Sequence, residues 1–128
     1  MDARRARALQ RLHALAAIRK DAELARLASV AQSRARLQTA LDALASTEAP
    51  LGSPGGAPAD PSLIAARLAH ARWTEAQRRR LNQQLALVKA DYLALEPAAA
   101  RAFGRAMVLD DLATHAQHTL RAARRSSP

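Results

Sequence analysis

The chain contains no cysteine, which excludes disulfides and thiolate metal sites and suits a reducing compartment. Aromatic residues are nearly missing: Trp73, Tyr92 and Phe103 are the only three. The large rings that fill most globular cores are therefore not available. No run of β-branched residues marks a strand, so the fold class is all-α. No uncharged apolar run reaches ~18 residues, and the N-terminal Met-Asp-Ala-Arg-Arg lacks the apolar core of a signal peptide. Neither a membrane span nor secretion by that route is expected. Lysine is scarce as well. Only Lys20 and Lys89 occur, so the formal charge of +9 is carried by arginine, and it favours acidic surfaces, anionic lipids or nucleic acid without choosing among them.

What the chain does have is alanine and leucine, both strong helix formers. Stepping four and three residues alternately from Leu81 meets Leu85, Val88, Tyr92, Leu95, Ala99, Ala102, Ala106, Leu109, Ala113, Ala116, Leu120 and Ala123. Every stop is apolar. A period of 3.5 sustained over this length specifies a coiled-coil helix that keeps one stripe against a partner.

Taken in order, residues 2–47 lack proline and glycine and read as one helix. Its larger apolar residues are Leu9, Leu12, Leu15, Ile18, Leu24, Leu27, Leu37, Leu41 and Leu44. Leu37, Leu41 and Leu44 hold a heptad, but charged residues interrupt any register that also takes in the earlier leucines, so a stutter in the seam is expected. Residues 48–60 carry Pro50, Gly52, Pro54, Gly55, Gly56 and Pro58 and read as a turn. Asp60 and Pro61 then supply an N-cap and a first helical residue for a second helix over 61–125. Glu75 is placed to meet Arg78 and Arg79. Pro97 is expected to kink this helix near its middle without reversing it, because the heptad continues in phase beyond it.

Two helices joined by such a turn predict a single domain: an elongated, antiparallel coiled-coil hairpin whose second helix is the longer. Centring the turn near Pro54 pairs residue i with about 109 minus i. The first helix would then be roughly 70 Å long, and the second would project past Met1 by roughly 25 Å. That projection, from about Leu109 to Arg125, would leave Leu109, Ala113, Ala116, Leu120 and Ala123 uncovered for an external partner. Nine arginines, Arg4, Arg5, Arg7, Arg11, Arg101, Arg105, Arg121, Arg124 and Arg125, would gather at the open end. Arg4, Arg5, Arg11, Leu109, Leu112, Leu120, Arg121, Arg124 and Arg125 are the candidate partner-binding residues. A seam so rich in alanine buries little area per layer and predicts a deformable hairpin.

Catalytic, cofactor-binding and metal sites are not expected. The chain has no phosphate-binding glycine loop and no nucleophile with a base at a useful spacing, and two slender helices offer no concave site. Asp111, His115 and His118 are spaced by about one turn each but read as a solvated polar face, while Arg78–Arg80 read as a charged surface run. Trp73 is expected to cover the first helix; an exposed Trp there would instead be an anchor for a partner.

The stretch Leu9-Gln-Arg-Leu12-His-Ala-Leu15-Ala-Ala-Ile18-Arg-Lys-Asp-Ala-Glu23-Leu24-Ala-Arg-Leu27-Ala, the central turn and the longer second helix resemble the FliJ family of flagellar export proteins, with the YscO proteins of type III secretion as relatives. The resemblance implies a cytoplasmic stalk, peripheral at the membrane export apparatus. Its partners would be the ring of the export ATPase, the export gate and substrate chaperones. Two other classes stay open. A basic nucleic-acid binder would lose affinity steeply with salt, although the chain lacks the aromatics that stack on single strands. A generic coiled-coil adaptor would pair its seam with another chain.

Overall fold

Asp2 and Asp60 start the two helices. In the computed structural model, which describes residues 2–47 and 60–127, the Asp2 carboxylate accepts from Arg5 N–H at 2.8 Å and the Asp60 carboxylate from Ser62 N–H at 3.1 Å. Each satisfies a donor that a helix leaves orphaned in its first turn. α1 runs over Ala3–Ser46 and α2 over Pro61–Ser126. α1 closes with the Ser46 and Thr47 hydroxyls donating to the carbonyls of Ala43 and Leu44 at 2.8 and 2.9 Å. The expected turn over 48–60 lies outside the described residues apart from Asp60. α2 continues through Pro97, so the chain does not fold back there. Glu75 meets Arg78 at 3.2 Å and Arg79 at 3.3 Å, as its spacing requires.

α1 and α2 pack on each other as an all-α helical hairpin, and the chain divides into two units along them. The terminal unit brings α1 as far as Ser29 together with α2 from Tyr92 onward, and the inner unit is Val30–Asp91. In the terminal unit Ala6, Ala99, Ala102, Ala106, Ala113 and Ala116 are buried. Tyr92, Leu95, Leu109 and Leu120 are half-buried and only Ala123, at the end of the stripe, is exposed. In the inner unit Leu85 is buried, with Leu81 and Val88 half-buried. The α2 seam is thus the heptad stripe, step for step.

The seam of α1 differs from the expectation. Ala6, Leu9, His13, Ala16, Lys20, Glu23, Leu27, Val30, Leu37, Leu41 and Leu44 are its buried or half-buried heptad positions, with Ala17 half-buried beside Ala16 and with Ser33 beside the exposed Arg34 filling the one remaining step. These positions continue the Leu37–Leu41–Leu44 heptad back to the helix start in one phase, so no stutter is present. Leu12, Leu15, Ile18 and Leu24 are exposed instead. The reason is steric and local: the facing stripe of α2 is mostly alanine, which favours close approach of the backbones. Small residues fit there, and Lys20 and Glu23 fit by laying their stems along the seam, which leaves their side chains 30% and 13% exposed.

The axial alignment also departs from the 109-minus-i rule. His13 Nε2 lies 3.3 Å from Asp110 Oδ1, whereas the rule sets residue 96 opposite His13. The difference is fourteen residues, two whole heptads, so seam still meets seam. The phase is unchanged by such a shift, and a connection as long as 47–60 does not force the symmetric pairing. In consequence the expected overhang is absent. Ala113 and Ala116 are buried, and Leu109 and Leu120 belong to the internal seam rather than to an uncovered stripe.

Within the inner unit α1 contributes residues 30–46 and α2 residues 61–91. About half of that length of α2 therefore has no α1 beside it. Leu63, Ile64, Leu68 and Trp73 are exposed on this stretch. Trp73 does not cover α1 as expected: it is 55% exposed and stacks on His70 with ring centroids 5.9 Å apart. The next residue, Thr74, faces the opposite way: it is 2% exposed, and its hydroxyl has no hydrogen-bond partner. A buried hydroxyl without a partner costs about 1–3 kcal/mol. Thr74→Val keeps the branched shape and removes the polar atom, and is expected to raise stability by ~1 kcal/mol, read as a higher urea midpoint at unchanged m-value.

Candidate partner-binding surface of the terminal unit

All nine arginines of the expected basic cluster belong to the terminal unit, and all are exposed, but they do not all gather at the open end: the two-heptad shift sets Arg101 and Arg105 beside Leu15 and Arg19 instead of beside Arg4 and Arg7. With Arg19, Lys20 and Arg26 they make twelve basic residues against six acidic ones, Asp2, Asp21, Glu23, Glu96, Asp110 and Asp111. The unit therefore holds +6 of the chain's +9. The acids are mostly engaged elsewhere. Asp2 caps α1, Asp110 meets His13, Asp21 meets Lys20 at 3.7 Å and Glu23 meets Arg26 at 3.5 Å. Among the described residues none of the nine guanidiniums has a carboxylate within ion-pair distance. Arg7 Nε instead donates to the Ala3 carbonyl at 3.4 Å. Such a field attracts an acidic surface and steers its approach.

Of the three leucines predicted to meet a partner, only Leu112 is exposed. Leu109 and Leu120 are half-buried in the seam. In their place the structure presents apolar residues that the heptad reading set aside. Leu12 and Leu15 of α1 face Val108 and Leu109 of α2 across a groove of about 600 Å³. Ala16 and Ala102 lie along its floor, Gly104 is among its lining residues, and Arg19, Arg101 and Arg105 border it. The signal for it is present in the sequence: Leu12 and Leu15, like Ile18 and Leu24, fall outside the phase that Leu37, Leu41 and Leu44 set. A second exposed group, Ile18, Phe103 and Met107, lies outside the groove.

Asp111, His115 and His118 do not converge, and no group of three His, Asp or Glu side chains suited to a metal ion occurs among the described residues. No helix among them is long and apolar enough to cross a membrane. What the surface offers chemically is positive charge beside exposed aliphatic area, a combination suited to binding protein. Family models, curated proteins and solved structures give no match to this chain.

Proposed function

We propose that this chain is a non-catalytic coiled-coil coupling protein of a flagellar or type III secretion export apparatus, which engages the export ATPase ring and the export gate through its terminal unit. The observation that carries this reading is the set of nine exposed arginines without a carboxylate partner among the described residues, drawn from both helices of one unit. The FliJ-like pattern of α1 and the hairpin supply the partner class. Docking then uses the outer surface of a paired hairpin, because the stripe of α2 is covered as far as Leu120. Substrate chaperones are further partners on this reading, and the place of action is cytoplasmic, peripheral at the membrane apparatus.

The test is co-purification with a purified flagellar or type III export ATPase, comparing the native chain with Arg121→Glu/Arg124→Glu/Arg125→Glu. These three side chains are exposed, so the variant leaves the seam intact. Shortening α2 would not, since it removes buried Ala113 and Ala116. The expected result is retention of the native chain and a loss of at least about tenfold in affinity on charge reversal, as for a charge-complementary interface. Absence of ATPase binding, together with DNA binding that falls steeply with salt, would replace the proposal with the basic nucleic-acid reading.

A further inference from the structure

The groove of the terminal unit has two properties that together select its occupant. Its walls are aliphatic, with Leu12 and Leu15 on one helix and Val108 and Leu109 on the other. It is also open where a side chain is missing: a Cβ added at Gly104 would meet nothing within 4 Å. Each wall extends over about two helical turns, from Leu12 to Arg19 and from Arg101 to Val108, or roughly 10 Å. On the flank of α2, Leu112 repeats the position of Arg105 one heptad later and prolongs the exposed edge.

The border is uniformly cationic. Arg19, Arg101 and Arg105 line the groove, no acidic residue does, and none of the three has a carboxylate partner among the described residues. A second copy of this chain is a poor fit, because it would bring another +6 unit against the first. We propose that the groove receives an amphipathic helix from a partner protein, with an apolar stripe at i, i+3, i+4 and i+7 between rows of Glu or Asp. The stripe seats between the two helices as a third strand of the bundle, and its flanking carboxylates meet Arg19, Arg101 and Arg105. This does not rest on the export reading, since any partner of that chemistry satisfies it.

The probe is a fluorescein-labelled synthetic peptide with a leucine stripe flanked by Glu, titrated with the full chain and followed by anisotropy. A matched peptide carries Lys in place of every Glu. The Glu peptide is expected to bind saturably at roughly 10 µM and the Lys peptide not at all. Gly104→Leu fills the open space with a better helix former and adds no charge. It is expected to keep full helicity by circular dichroism and to weaken the Glu peptide at least about tenfold. Arg101→Gln/Arg105→Gln is expected to weaken it several-fold and to flatten its salt dependence.

The proposal is overturned if the Glu peptide does not bind, or if Gly104→Leu binds it as well as the native chain does, which would mean adsorption to the basic surface at large. It is also overturned by self-association that Gly104→Leu abolishes in sedimentation, which assigns the groove to a second copy. Capture by phosphatidylglycerol vesicles that is lost in Gly104→Leu, without peptide binding, would assign it to lipid.

Discussion

Ala116→Glu is expected to unpair the terminal unit, and Ala123→Glu, one heptad later on the same stripe, to leave it unchanged. Ala116 is 1% exposed, whereas Ala123 is exposed. Glutamate at the first position must either lose its hydration among alanine side chains or force the helices apart. A buried charge without a partner costs about 3–5 kcal/mol, a large share of the stability of an ordinary small domain. At the second position the same side chain stands in water and surface substitution costs within about 0.5 kcal/mol. Urea melts followed by circular dichroism distinguish them, with a strongly lowered midpoint for the first variant only. Equal midpoints for the two would show that α1 does not cover this part of α2.

The largest gain in stability is expected from the seam of α1. Lys20 and Glu23 occupy seam positions, and the Glu23 side chain is only 13% exposed. Their ion pairs, Lys20 with Asp21 and Glu23 with Arg26, are local ones whose outer members are largely in solvent. Exposed pairs of this kind contribute little. Lys20→Leu/Glu23→Leu removes the desolvation penalty and adds apolar burial along the path the Lys20 and Glu23 stems already take, at the two heptad positions where the seam also holds Leu27 and Leu9, for a combined gain of ~2–4 kcal/mol. Thermal unfolding is expected to shift upward by well over 5 °C. A drop in melting temperature would mean that the seam is too close-packed for leucine and that the charged side chains are there because only their stems fit.

These two variants probe the halves of the fold that differed in legibility. The α2 stripe could be read directly, because thirteen apolar steps in one phase admit few other structures. The α1 seam could not, because size and hydrophobicity pointed to Leu12, Leu15, Ile18 and Leu24, while the paired positions hold Ala6, His13, Ala16, Lys20 and Glu23. Hydrophobic pattern reports what is apolar, and an alanine partner selects for what is narrow. The groove follows from that difference, since leucines excluded from the seam are left on its border. The basic cluster was legible from the positions of Arg4, Arg5, Arg7 and Arg11 near one end of the sequence and Arg121, Arg124 and Arg125 near the other. The predicted overhang was not, because periodicity fixes which face of a helix is used and leaves open which turn meets which.

The His13–Asp110 alignment therefore carries a mechanical meaning. Ala99, Ala106 and Ala113 are successive copies of one seam position, and Ala102 and Ala116 stand on either side of Leu109 at the other. To the opposing helix, much of this track looks alike every seven residues, or every ~10 Å. Leu9, Leu27, Tyr92, Leu95, Leu109 and Leu120 are the bulky apolar teeth that tell one notch from the next. An axial pull on the terminal unit would thus meet a ratchet with shallow, evenly spaced stops, in which rotation of the helices is locked and sliding proceeds by whole strides.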